Sequence, residues 1–402
     1  MSKRPVSPPG GGALIKRAKS SADGSGASTT REIAISSNND PRNKSLIRSV
    51  QRTSGLDAPI VSLAGAHSGE ILSCRFSPSG LHLAACSSDR SLSLWNTYSP
   101  NTNFGLISSL AKAPLLDFQW SLFQPWIYTV SADHLLSVVD TTTGERVRKG
   151  RAHSGIINSL DRTMASGSGT ELIVTGSDDG TVKVWESSTD DGGVGKHPVT
   201  TIDIGCPVTG VCWSKDGQNV YVAALDNEIH LIDIFFQVYD LRNTPTATTN
   251  GSYPRTQPLL SLAGHTDTPT SLTLSPDGNF LLSPSMSSNV IIHDIRPFSP
   301  SPTRIHRVLR GAPAGFENTL LRGAWTKDEE VHGGKVGQRV AVGGADRMVC
   351  VWEVESGKLI YKLPGHKGTV TSVDFHPKEP ILLTGSKDGT MLLGELEAGI
   401  SV

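Results

Sequence analysis

The sequence predicts an all-β fold: a seven-bladed β-propeller preceded by a basic N-terminal arm. Three observations carry that expectation. The chain is rich in turn formers, with 41 glycines and 24 prolines among 402 residues, as a chain of many short elements needs. Short stretches of apolar alternation, such as ILSCRF, HLAAC and SLSLW, recur between turn signals such as SPSG, KDGQ and SPDG. One longer pattern returns seven times from residue 67 onward, the mark of a repeat architecture.

Composition narrows the function classes. Lys and Arg number 37 against 38 Asp and Glu, a formal net charge of −1. That excludes a uniformly basic nucleic-acid coat and a strongly acidic chaperone-like chain. No run approaches the roughly 20 apolar residues of a spanning helix, so no membrane partner is expected. The five cysteines (Cys74, Cys86, Cys206, Cys212, Cys350) are odd in number and form no CxxC pair. They read as buried thiols of a reducing compartment, with no disulfide framework and no metal site. The N-terminus carries no apolar leader, so secretion is not expected.

Residues 1–55 differ sharply from the rest. They hold ten basic side chains against three acidic ones, a net of +7, and no aromatic residue. Such a stretch cannot bury enough apolar surface to offset its ordering entropy, and reads as a disordered arm. The remainder is net −8. Within the arm, Lys3-Arg4 and Lys16-Arg17-Ala18-Lys19 form two basic clusters on an eleven-residue spacer, the pattern of a nuclear import signal. A nuclear location is expected from it. Ser7-Pro8 is a phosphorylation motif of low specificity.

The repeats follow in order. The turn positions are Asp89, Asp133, Asp179, Asp226, Ser287, Asp346 and Asp388. They lead into the strands LSLWN (92–96), LSVVD (136–140), VKVWE (182–186), HLID (230–233), VIIHD (290–294), VCVWE (349–353) and LLGEL (392–396). A leading histidine opens four units, as His67, His153, His265 and His366. Units two, four and six carry Lys112, Cys206 and Ala312 in that region. Four short strands per unit and Trp-Asp-like endings resemble the WD-repeat family.

That resemblance implies a buried relay of His, Ser or Thr, the turn Asp and the strand Trp, which pins each blade's turn to its strands. Unit three has all four as His153, Thr175, Asp179 and Trp185. Unit one has His67, Asp89 and Trp95, but Ala85 stands where the hydroxyl is expected. Unit seven has His366, Thr384 and Asp388, with Gly394 in place of Trp. Blade three is therefore expected to be the only complete and most rigid blade. The recurrence of the His–Asp pair at repeat spacing, with no nucleophile beside it, argues for structure over catalysis.

The seventh unit ends at its third strand. The segment Pro59–Leu63 (within 56–64) precedes the first histidine and is expected to supply the missing outer strand, which would close the ring and remove an exposed edge. Residues 56–402 are thus read as the propeller.

Further segments go beyond generic repeat features. They are TGERV (143–147), TGSDDGTVKVWE (175–186), IRPFSP (295–300), GFENTLLRGAW (315–325), KLPGH (362–366) and FHPKEPILL (375–383), with KRP (3–5) and LDAPIVSLAG (56–65). Together they resemble the U5 small nuclear ribonucleoprotein 40-kDa family of WD-repeat proteins, subunits of the spliceosome. The resemblance covers essentially residues 56–402. It implies a non-catalytic scaffold in pre-mRNA splicing, docked on the large central U5 protein among other spliceosomal proteins. Arg296, Phe298, Phe316 and Arg322 are the candidate anchors, together with Arg90 and Arg347, which follow turn aspartates. Aromatic and Arg anchors dominate such interfaces.

Blade four departs from the family. The text NEIHLIDIFFQVYDLRN (227–243) holds two competing strand endings, at Asp233 and at Tyr239-Asp240. Either LIDIFFQ (231–237) is a genuine extended or bulged strand, or it stems from a mis-set splice junction; the second reading is favoured.

No P-loop, GxSxG elbow or HExxH helix occurs, so no enzyme activity, cofactor or small-molecule substrate is expected. The acidic body and the lack of interleaved aromatics limit RNA contact to the periphery. The rival readings are a generic WD adaptor, such as a ubiquitin-ligase substrate receptor, and a propeller enzyme with a polar, ligand-filled channel.

Overall fold

Each blade grows outward from a short inner strand, most of whose side chains are buried on both faces. In blade one, Ile71–Phe76, His82–Ser87, Leu92–Asn96 and Asn103–Ile107 pair antiparallel in that order. The first three strands are largely buried and the fourth faces solvent. Six further four-stranded sheets repeat the arrangement, so the ring has seven blades. Their inner strands are Leu115–Trp120, Ile157–Met164, Val208–Trp213, Thr273–Leu274, Gly323–Trp325 and Val370–Phe375. Apolar clusters fill the space between blades, such as Val174, Val184, Ile202, Val208 and Val220 between blades three and four. The computed structural model describes residues 54–165, 169–187, 193–234, 258–327 and 338–396, all within a compact unit that runs from Arg52 onward. The basic clusters Lys3-Arg4 and Lys16–Lys19, and most of the arm, lie outside the described residues.

Inner strands leave one hydrogen-bonding edge facing the axis, and those groups need partners. A recurrent bulge supplies some of them. The register shifts between Ile71 and Ser73, Ile157 and Ser159, Val208 and Gly210, and Val370 and Ser372. Such a bulge re-aims the extra residue, and the residue is often polar. Asn158 Nδ2 donates to Val208 O (2.8 Å), Thr209 Oγ1 to Pro269 O (2.6 Å), and Thr371 Oγ1 to Ile71 O (2.6 Å). Each bond ties one blade to the next.

The ring is closed by chain from the start of the propeller. Ile60–Leu63 runs antiparallel beside Met391–Glu395, pairing Ile60 with Gly394 and Leu63 with Met391. The last sheet therefore reads first, last, second-last and third-last strand. Leu56 and Leu63 enter the core with Ile71, Trp95, Met391 and Leu393. The amides of Ser54 and Gly55 donate to Glu395 Oε1 (3.1 Å) and Glu379 Oε2 (2.8 Å).

Blade four uses the first of its two strand endings. Ile229–Asp233 pairs with Asn219–Ala224, placing Ile232 opposite Val220. Ile232 and Ile234 are buried in the core between blades three and four. Val238, Tyr239 and the rest of the second ending lie outside the described residues. The two endings carry the same pattern: LIDI at 231–234 and VYDL at 238–241 are both apolar, apolar, acid, apolar. Deleting residues 231–237 slides the second into the position of the first and shortens the connection to the next strand by seven residues, a change of loop length that costs little. The deletion variant is expected to remain folded, with a melting temperature within a few degrees of the parent. Collapse of its thermal transition would show that only LIDI fits this blade.

Candidate interaction surfaces

The relay residues meet inside single blades. In blade three, Trp185 Nε1 donates to Thr175 Oγ1 (3.0 Å), and Thr175 Oγ1 meets His153 Nε2 (2.8 Å). His153 Nδ1 lies 3.1 Å from Asp179 Oδ2, with Thr181 Oγ1 at 3.0 Å. Donor and acceptor accounting gives one direction: Trp N–H to Thr, Thr O–H to the imidazole, imidazole N–H to carboxylate. Burial lowers the pKa of His153, His67 and His366 despite their aspartate partners, so the rings are neutral. Burial alone pushes Asp179 up, but hydrogen bonds from His153 and Thr181 hold it well below the usual carboxylate range.

Blade one corrects the expectation that blade three alone has a full relay. His67 Nε2 meets Ser93 Oγ at 2.7 Å, and Trp95 Nε1 donates to the same oxygen at 2.9 Å. His67 Nδ1 lies 3.3 Å from Asp89, whose pKa is held at about 2. Ser93 is the cross-strand partner of Ala85; the hydroxyl has moved one strand outward and reaches the same point. A serine two residues before the Trp is the signal for it, where blade three has Lys183. In blade seven, His366 Nε2 meets Thr384 Oγ1 (2.8 Å) and His366 Nδ1 lies 3.4 Å from Asp388. Without a leading His, blade six sends Trp352 Nε1 to Arg310 O (3.2 Å).

Blade five holds a defective relay. His265 Nε2 meets Ser283 Oγ (2.7 Å), but Ser287 replaces the aspartate and His265 Nδ1 has no hydrogen-bond partner among the described residues. His293 fills the Trp position, is fully buried, and has neither nitrogen satisfied among the described residues. The two rings lie 5.6 Å apart. Burial depresses His265 to about 4 and His293 to about 3, with the neighbouring ring adding to the second. Folded-state values below the ordinary 6.5 mean that the stability of the neutral rings is intact above pH 6.5. It is lost as pH falls from there toward the folded values. Replacing His293 with isoleucine, which blade four carries as Ile232, removes two unsatisfied buried nitrogens. The variant is expected to gain about 1–3 kcal/mol and to show a shallower fall in melting temperature between pH 6.5 and 4. A variant less stable than the parent at pH 5 would contradict this.

The channel is plugged by charge. Arg322 precedes the inner strand of blade six, is buried, and reaches across the axis. Its Nη1 lies 2.8 Å from Asp117 Oδ2, and its Nη2 donates to Leu116 O (3.1 Å) and Asn158 O (3.0 Å). Arg75 Nη2 meets Asp117 Oδ1 at 3.1 Å. Asp117 also accepts from Ser73 Oγ (3.0 Å) and the Leu160 amide (3.2 Å). Burial pushes this carboxyl up, but the guanidiniums of Arg322 and Arg75 outweigh it and hold the pKa below its ordinary value. Arg322 therefore joins blades six, two and three and is not an outward anchor, contrary to the sequence expectation.

On the hairpin side of the plug, a cavity of about 510 Å³ is lined by Arg75, Asp161, Arg162, Cys212, Lys327 and Asp374, among others. Its acids are in use. Asp161 accepts from the Trp213 amide (2.9 Å) and Gln119 Nε2 (3.1 Å), and Asp374 from the Phe76 amide (2.9 Å) and Lys327 Nζ (2.6 Å). Burial raises Asp161 and pushes the Cys74 thiol to about 12 and Cys212 well above its usual value. These thiols are protonated and poor nucleophiles.

The other candidate anchors are divided between two faces. Turns joining second and third strands lie on one face with the connections between blades; turns closing the other hairpins lie on the opposite face. Arg90, Arg347 and Phe316 belong to the first, and Arg296 and Phe298 to the second. Phe316 and Phe298 are fully exposed. Arg296 pairs through two nitrogens with Asp294 (2.8 and 2.6 Å) and lies 5.5 Å from the centre of the Phe280 ring. Arg90 and Arg347 are exposed and adopt φ of 72° and 67°. The same turn position holds Gly180 and Gly389 in blades three and seven. A left-handed L-residue costs roughly 1–2 kcal/mol, so these two arginines sit where glycine is the easier choice.

The WD domain, G-beta repeat family matches residues 58–96, 144–186, 197–233, 256–294 and 357–393. The first three strands of blades two and six, which lack the leading histidine, fall outside those segments. Over 347 residues the chain is 34% identical to the pre-mRNA-splicing factor cwf17 of Schizosaccharomyces pombe, covering 86% of this chain and 90% of that one. It is 35% identical to the U5 small nuclear ribonucleoprotein 40 kDa protein of Dictyostelium discoideum, covering 88% and 89%. The human protein of that name is 34% identical over 86% of each chain. Seven-bladed and matched to these relatives along nearly their whole length, the chain belongs to the U5 small nuclear ribonucleoprotein 40 kDa family of WD-repeat propellers.

Proposed function

We propose that this chain is a non-catalytic scaffold subunit of the U5 small nuclear ribonucleoprotein and the spliceosome. It acts in pre-mRNA splicing, in the nucleus, by docking on the large central U5 protein. One observation carries the reading: relatives from Schizosaccharomyces pombe to Homo sapiens, matched over 86% or more of their length, bear the particle or the process in their names. A scaffold also accounts for most of these polar groups, since the relays of blades one, three and seven and the carboxylates of the channel bond within the ring. Arg90, Arg347 and Phe316 are the proposed anchors on one face, and Phe298 with Arg296 on the other.

Purification of the tagged chain from nuclear extract tests this. U5 RNA and the large U5 protein are expected with it; ubiquitin-ligase subunits in their place would overturn the reading. The variant Arg90→Gly/Arg347→Gly relieves left-handed strain, so it is expected to melt no lower than the parent while recovering several-fold less of the large protein. Unchanged recovery would remove these arginines from the docking surface.

A further inference from the structure

We propose that the outer edge of blade two binds the phosphate backbone of RNA. The outer strand there, Arg146–Arg151, reads RVRKGR: four cations in six residues, with no acid. Five of the six residues are exposed and the sixth, Arg148, is half-buried. The other outer strands are NFGLI, TTID, LSL, IHRVLR, LIYKL and IVSL. Two arginines, at 307 and 310, are the most that any of these carries.

Lysines on an exposed strand edge commonly serve to prevent edge-to-edge pairing. A ring of seven such edges would spread that protection around the circumference. Here the charge is concentrated on one blade, and three of the remaining edges carry no charged residue at all.

Arg146, Lys149 and Arg151 are also held in a way that leaves their charge uncancelled among the described residues. Arg146 Nη1 donates to the carbonyl of Leu110 (2.7 Å), and Arg151 Nε to the carbonyl of His153 (3.3 Å). These bonds fix the guanidiniums against neutral backbone groups. Neither arginine nor Lys149 makes an ion pair among the described residues. The adjoining cleft toward blade three is lined by Arg148, Arg151 and Lys196 over an apolar floor of Leu136, Val138, Trp185 and Val194, with no carboxylate among the described lining residues.

The chemistry selects a polyanion over a protein surface. Protein interfaces are anchored by aromatic or aliphatic side chains in pockets, and the strand offers only Val147 as an exposed apolar group. Bases are read by stacking on aromatic rings, which the strand lacks. What remains is charge in an extended row, which suits phosphate contact without sequence preference. This inference stands apart from docking on a large protein, and each can fail without the other.

The test is fluorescence anisotropy of a labelled RNA hairpin with the full-length protein at 50, 100 and 200 mM salt. The variant Lys149→Glu/Arg151→Glu is expected to bind at least about tenfold more weakly at 100 mM. Its log K against log salt slope should be shallower by about 1.5, as expected for two lost phosphate contacts. Lys16→Gln/Arg17→Gln/Lys19→Gln is the control for the basic arm and is expected to have the smaller effect. If the glutamate pair lowers the melting temperature, Lys149→Ala serves in its place, with the expected slope change halved. Parent-like RNA affinity in the folded edge variant, or binding lost through the arm variant alone, would overturn the inference. So would displacement by poly-glutamate as effective, charge for charge, as displacement by RNA. Recovery of the large U5 protein is read on the same variants, and is expected to be unchanged.

Discussion

Replacing Asp117 with alanine is expected to destabilise the propeller by about 3–5 kcal/mol, the range for breaking a buried ion pair from one side. Asp117 is fully buried and stands between Arg322 and Arg75. Without it, two guanidiniums face each other at the axis and the Ser73 hydroxyl and Leu160 amide lose an acceptor. Asp117→Asn keeps the shape and part of the hydrogen bonding, so it is expected to fall between parent and alanine variant. Chemical denaturation with matched unfolding slopes measures the difference. An alanine variant within 1 kcal/mol of the parent would mean that water or side-chain rearrangement replaces the carboxylate. The sign with pH follows from the depressed pKa. The contribution of Asp117 is complete above the ordinary carboxylate value of 3.8 and is lost as pH falls through the lower folded value. At pH 7 the difference between parent and variant is therefore at its maximum.

The second large effect is expected from the closing strand. A chain starting at residue 54 keeps Leu56, Leu63 and the four ladder pairs with Met391–Gly394. It is expected to melt with the parent. A chain starting at residue 65 loses all of them. Two fully buried leucines are worth about 1.5–3 kcal/mol each, and Met391 and Leu393 lose the side chains that cover them. The shorter chain is expected to unfold at least about 10 °C lower, since several kcal/mol spread over a domain of this size shifts a melting temperature by that order. It is also expected to associate through the bared edge of its last blade. Light scattering and thermal melts of the two truncations measure this. Equal melting temperatures would show that the ring is held shut by blade-to-blade packing alone.

How much was legible in the sequence varies with distance along the chain. The turn aspartate and the aromatic position lie six residues apart, on one hairpin, so the blade count emerges from spacing. The His-to-Asp spacing, 22 residues in blades one and seven and 26 in blade three, also stays within one repeat. Ser93 shows the limit of spacing even at this scale. Its hydroxyl does the work expected at position 85 because the two residues face each other across the ladder. Register, not offset, decides which atom reaches the imidazole. Blade four shows a second limit: two endings with the same apolar pattern are equivalent by periodicity, and only the tertiary structure shows that Ile232 and Ile234 are the ones packed against blade three.

Arg322 marks the boundary most clearly. It lies in a segment, GFENTLLRGAW, whose composition suits an outward anchor, yet its charge is neutralised by an aspartate 205 residues away. Hydrophobic period, turn chemistry and repeat spacing act over a few residues, and so they specify strands, blades and family from the chain alone. The filling of the axis depends on seven inner strands brought together at once. Closing the ring leaves a narrow low-dielectric space in which an unpaired charge is costly, and that constraint, written nowhere in local sequence, turned Arg322 inward.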